Sequence, residues 1–143
     1  MESNLIKAKN ILQDNNYTCV FYNGSDLHTS FDRGVKPLLD LLNKDFDSTG
    51  YVVADKVIGK AAAFLYVLLK VKTIYAIVIS ESAVNVLKQY GIEIHYDCLV
   101  PRIKNRTNTG FCPMESAVQS IDDPLEAKNK IIETIIELKK HKN

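Results

Sequence analysis

Asp55, Lys56 and Lys60 cluster where an extended apolar run, Tyr51 to Ala54, meets a small-residue and apolar segment starting at Val57. A cation in the first turn of a helix opposes the helix dipole by about 0.3 to 1 kcal/mol, and like charges four residues apart add a smaller penalty. Two such costs at one helix start point to an anion held there. It is either the phosphate or carboxylate of a ligand or an internal carboxylate, for which Asp55, Glu81 and Glu115 are the candidates. Asp55 reads as the helix N-cap, worth about 1 kcal/mol, or as an acid or base beside the two lysines. The string Gly-Lys-Ala at 59–61 is not a phosphate-binding loop of Walker type, because the glycine-rich stretch and the Ser or Thr after Lys are missing.

Three further groups have chemistry-bearing composition. Ser80, Glu81 and Ser82 supply a cap and a first-turn acid for the next helix, or two hydroxyls and a carboxylate for the polar edge of a base or sugar. Cys112 stands before Pro113 at a helix start, where the positive end of the dipole lowers a thiol pKa and favours a nucleophile; the plainer reading is a small buried hydrophobe. Asp55, Cys112 and Glu115 make a poor metal set, since two hard carboxylates with one thiolate are uncommon, so no metal and no other cofactor is expected. Arg102, Lys104 and Arg106 alternate, so an extended backbone aims all three the same way, toward solvent or toward a nucleotide phosphate. His28, His95 and His141 receive no role.

The elements that position these residues follow from periodicity. Ser3 or Asn4 caps a short amphipathic helix with Leu5, Ile6, Ile11 and Leu12. Tyr17 to Tyr22 and Leu27 to Phe31 form an antiparallel hairpin about Asn23-Gly24. A short helix holds Leu38 to Leu42, with Pro37 in its first turn. The strand Tyr51 to Ala54 is followed by a helix from Val57 to Leu69, apolar nearly all round and therefore covered on most sides. The continuous apolar strand Thr73 to Ile79 suits a parallel sheet covered on both faces. A helix ending at Gly91, a strand Ile92 to Cys98, a basic irregular stretch Pro101 to Gly110, and helices opened by Pro113 and Pro124 complete the chain. Two right-handed crossovers make the last three strands parallel, and the architecture is a three-layer α/β/α sandwich with a mixed sheet, in one domain over residues 1–143. The polar junctions then lie at the carboxyl ends of parallel strands, where ligands bind.

Bulk properties narrow the partners. The 18 basic and 17 acidic residues leave a net charge of +1, too little for a duplex nucleic-acid binder resting on a general positive field. The longest apolar run, Ala61 to Leu69, is too short to span a bilayer of roughly 30 Å. Three cysteines without metal-type spacing and an amino terminus without an apolar run point to the reducing cytoplasm.

The segments GYVVADKVIGKAAAFLYVL, YAIVISESAVNVLKQYGI and VPRIKNRTNTGFCPMESAV resemble a family of small prokaryotic proteins, without an assigned activity, placed in the cytidine-deaminase-like fold. The resemblance covers most of the chain and implies that fold. Zinc deaminases of the fold carry His-x-Glu at the first junction and Pro-Cys-x-x-Cys at the second. Here Asp55 stands at the ligand position, Val57 where the proton shuttle belongs, and Ser80 and Ala83 where two thiolates are needed. Standard zinc deamination is therefore not expected.

Two readings of function lead. One is an enzyme or former enzyme, of hydrolytic ancestry, acting on a nucleotide-type or other small anionic ligand. In it Asp55 is an acid or base, Lys56 a proton-transfer or anion-binding group and Cys112 a nucleophile, with Lys60, Ser80, Glu81, Ser82, Arg106 and Glu115 around the ligand. The other is a non-catalytic ligand-binding or regulatory module using the same pocket. A homo-oligomeric interaction protein, with capped and ion-paired junctions, is a third class.

Overall fold

The computed structural model describes residues 2–104, 110 and 112–140. Helix α1 (Ser3–Asp14) precedes a hairpin of β1 (Cys19–Tyr22) and β2 (Leu27–Ser30), and α2 (Lys36–Asn43) follows. Then come β3 (Val52–Ile58), α3 (Lys60–Leu69), β4 (Thr73–Ser80), α4 (Glu81–Gln89), β5 (Glu93–Val100), α5 (Pro113–Val118) and α6 (Pro124–Lys140). Among the described residues the strands form a five-stranded mixed sheet in the order β2-β1-β3-β4-β5. Strand β1 is antiparallel to both its neighbours, and β3, β4 and β5 are parallel.

The hairpin turns where Asn23-Gly24 predicts it. The Asn23 side chain accepts from the backbone N–H groups of Ser25 and Asp26 at 3.0 and 2.6 Å, and Gly24 takes φ +102°, a left-handed conformation that glycine adopts without steric cost.

Helix α1 covers one face of the sheet. Leu5, Ala8 and Leu12, spaced for one helical stripe, pack on Val20, Val52, Ala54 and Tyr75. Helices α2 to α6 lie on the other face, with α3 at the centre of the larger core. Ala61 to Tyr66 are all buried, as the apolar composition of this helix requires. The small side chains of Ala61, Ala62 and Ala63 let it sit close to the sheet.

The boundary between β3 and α3 corrects the sequence expectation. The strand does not stop at Ala54 but runs through Ile58, and Gly59 is the residue before the helix. Asp55 is thus a strand residue opposite Cys19 on one side and Ala76 on the other, not a helix N-cap. Lys56 lies outside the first helical turn and donates to Asn16 Oδ1 at 2.8 Å. Pairing with β4 decided this boundary, because Val57 and Ile58 gain ladder partners in Val78 and Ile79 that an isolated segment lacks. The strand also changes its facing along its length. Val53 and Ile58, five residues apart, both belong to the core beneath α3, which strict alternation forbids; Ile74 and Ile79 of β4 do the same. The consequence is that Val57 becomes 45 % exposed although Ile58 beside it is buried.

At the far edge of the α1 face, Tyr75 donates a hydrogen bond to Asp97, and Lys9 of α1 lies 3.9 Å from the same carboxylate and 4.8 Å over the Tyr75 ring. No helix among the described residues is long and apolar enough to cross a membrane. Because Leu12 is 1 % exposed and belongs to the smaller of the two cores, Leu12→Ala is expected to destabilise the fold by roughly 2 to 5 kcal/mol, measured by urea denaturation.

Candidate functional site

The anion expected at the start of α3 is a residue of the chain itself. Gly59 has no side chain with which to cap the helix, and Glu115 of α5 takes that place: its two carboxylate oxygens accept from the backbone N–H groups of Lys60 at 2.7 Å and Ala61 at 2.9 Å. The carboxylate is 8 % exposed and sits on the positive end of the helix dipole. Gly59 has extended backbone angles that any residue could adopt, so its role is spatial. A Cβ there would lie 2.4 Å from the Glu115 carboxyl carbon. Lys60 answers in the opposite direction, donating from Nζ to the carbonyl of Gln119 at 2.9 Å, where α5 ends. One residue of each helix thus satisfies the terminus of the other.

Around this junction the chain forms a two-part depression. A cleft of about 160 Å³ is lined by Lys60, Ser82, Pro101, Arg102, Glu115 and Gln119. A broader depression of about 450 Å³ has Val57, Val78 and Val100 as its floor, with Pro101, Arg102, Ile103 and Lys104 around it. The two share Pro101 and Arg102. Ser80 lines neither part: it is fully buried, its Oγ accepts from Ala83 N–H at 3.2 Å as the cap of α4 and lies 3.2 Å from the Oγ of Ser82, which lines the cleft. Glu81 is an exposed first-turn acid of α4. Arg106, with Asn105 and Thr109, lies outside the described residues.

Asp55 belongs to a different group. Its carboxylate accepts hydrogen bonds from the Tyr66 hydroxyl and, at 3.2 Å, from Val57 N–H, and Cys19 Sγ lies 3.4 Å from the same hydroxyl. All three side chains are buried between β1, β3 and α3. Burial pushes the Asp55 carboxyl up from 3.8 to about 7 against the opposing effect of its hydrogen bonds. Burial, reinforced by the Asp55 charge, also raises the Tyr66 hydroxyl and the Cys19 thiol well above their ordinary values, so both stay protonated at neutral pH. Cys112, half-buried, precedes α5 and donates its N–H to Ile103 carbonyl at 3.1 Å.

The residues singled out from sequence therefore divide. Lys60, Ser82 and Glu115 meet in the cleft with Ser80 beneath; Asp55 turns into the core toward Tyr66 and Cys19; Lys56 turns to Asn16. Sequence reasoning missed Tyr66, Cys19, Gly59 as a contact surface, and the valine floor. Spacing carries no signal for them, because each acquires its role from a partner on another element.

Residues 7–135 match the family model TM1506, described as a domain of unknown function, DUF1893. The chain belongs to the DUF1893 family. It is similar to a solved DUF1893 family protein, TM1506 from Thermotoga maritima, at 33 % identity and a TM-score of 0.85, over 93 % of this chain and 91 % of that one. No curated protein matches. The DUF1893 match takes in every residue lining the depression and the whole Asp55 group. Among the described residues of this DUF1893 chain, no three His, Cys, Asp or Glu side chains gather to hold a metal ion.

Two outcomes follow from this geometry. Gly59→Ala displaces the Glu115 carboxylate and should cost roughly 1 to 3 kcal/mol, as should Glu115→Ala, while the double variant should lose little more than either alone, measured as a double-mutant cycle in chemical denaturation. The raised pKa of Asp55 sets a pH dependence. The folded state holds the proton between about 3.8 and about 7 while the unfolded chain has lost it, so this contribution is complete below the lower value and disappears as pH rises through the upper one. Relative to Asp55→Asn, the parent should lose stability at up to about 1.4 kcal/mol per pH unit across that interval and level off above it. Urea melts of both proteins at a series of pH values test this, and parallel curves would contradict the assignment.

Proposed function

We propose that this DUF1893 protein binds a small anionic ligand of nucleotide type at the carboxyl ends of β3, β4 and β5, on a cytidine-deaminase-like fold. The observation that carries the reading is the pairing of an apolar floor, Val57, Val78 and Val100, with a rim bearing Arg102, Lys104 and, in the adjoining cleft, Lys60 and the Ser82 hydroxyl. A flat apolar moiety on the valines would place an attached phosphate or carboxylate against the basic rim. An antiparallel hairpin leading into three parallel strands, with helices on both faces, supports the deaminase-like arrangement that the sequence resemblance implies.

Binding is the better-supported activity than turnover. Asp55 directs its carboxylate to Tyr66 and not into the depression, and Glu115 is occupied by the start of α3. Neither is placed as the free acid or base that a reaction on the bound ligand would require.

Calorimetric titration with nucleoside 5′-monophosphates, the corresponding nucleosides and inorganic phosphate tests the reading. Arg102→Gln and Lys104→Gln should each weaken the monophosphate by about tenfold to a hundredfold, the equivalent of one charge-assisted hydrogen bond, and should leave nucleoside binding nearly unchanged. Absence of any heat or melting shift with all three probes at millimolar concentration would overturn it.

A further inference from the structure

We propose that the outward face of α6 joins two copies of this chain in a short parallel two-helix seam. Helix α6 buries Pro124, Ala127 and Ile131 against its own domain. Yet Leu125, Ile132 and Ile136 stay 62, 37 and 49 % exposed, an apolar stripe of a kind that water does not favour. At about 100° per residue these three fall within an arc of roughly 40°, and Ala127 and Ile131 lie roughly opposite. The bodies of two copies joined through this stripe would therefore project away from each other.

The spacing names the occupant. Leu125, Asn129, Ile132 and Ile136 follow one another at intervals of four, three and four, the alternation of d and a positions in a heptad. Leu125 and Ile132 stand at d, Ile136 at a, and the exposed Asn129 also at a. A lone Asn at a fixes register and a two-stranded state when it meets its counterpart across the seam.

Charge selects the parallel orientation. Lys128 falls at g and Glu133 at e, five residues later, the separation by which a g side chain reaches the e side chain of a parallel partner. The two-fold axis makes the pair twice. An antiparallel seam in the same register would instead face e with e and bring Glu126 and Glu133 of the two copies together; Lys139 falls at the next d, where the apolar stripe ends. A second copy with its helix parallel is thus the partner whose charges and apolar stripe both match.

Sedimentation equilibrium of the full chain from micromolar to millimolar concentration tests this. The parent should show a reversible monomer–dimer equilibrium, and Ile132→Glu should be monomeric throughout with unchanged helical circular dichroism. Lys128→Glu and Glu133→Lys should each weaken the dimer by about tenfold, and together restore it to within about threefold of the parent. With Cys98 and Cys112 replaced by Ser, Asn129→Cys should cross-link to itself on oxidation, as parallel register demands. A parent that stays monomeric, a dimer that survives Ile132→Glu, single charge changes without rescue in the double variant, or no cross-link would overturn the proposal. So would a monomer whose helix face binds phosphatidylcholine–phosphatidylserine vesicles, which would make the partner a membrane.

Discussion

The Glu115 carboxylate against the N–H groups of Lys60 and Ala61 is the contact on which the depression depends. It draws α5 onto the start of α3, and Lys60 secures the other end of α5 through the Gln119 carbonyl. Pro101 and Arg102, just past the end of β5, are the wall shared by both parts of the depression. The energetic case is favourable because a buried helix start leaves backbone donors that need partners, and a carboxylate satisfies two of them while complementing the dipole. Gly59 is the condition for this arrangement, since any larger residue would fill the space that the carboxylate occupies.

The Asp55, Tyr66 and Cys19 group has a different character. A carboxyl beneath the central helix is costly when ionised, and the Tyr66 hydroxyl and the Val57 N–H offset that cost without removing it. The result is a carboxyl that changes charge close to neutral pH in the middle of the larger core, joined to the sheet through β3 and to the helix through Tyr66. Its position beside the change of facing in β3 connects the two regions. The same strand sends Asp55 inward and leaves Val57 on the floor of the depression.

Much of the architecture was legible in the residues. The leading amphipathic helix, the hairpin about Asn23-Gly24, the all-apolar central helix and the continuous strand Thr73 to Ile79 are each specified by a local pattern whose period or composition survives in the fold. The parallel order of the last three strands follows from crossover handedness, whereas the charge argument at the start of the central helix counted Lys56 in its first turn, and Lys56 is a strand residue. The legible patterns are properties of short stretches of chain, and local propensity and binary pattern suffice to express them.

The end of β3, the identity of the carboxylate at the start of the central helix and the separation of Asp55 from the other polar residues were decided by tertiary structure. Asp55 to Ile58 has the composition of a capped helix start when read by itself, and becomes strand because β1 pairs with it at Asp55 and β4 continues to pair through Ile58. Glu115 and Gly59 are far apart in sequence and meet only because α5 folds back over α3, a contact with no local signature. Sequence by itself determined the leading helix, the hairpin, the apolar central helix and the strand that follows it. Which side chain caps the start of the central helix, and which face each strand residue takes past Asp55, depended on pairings between distant segments, whose energies exist only once the sheet and its helices are assembled.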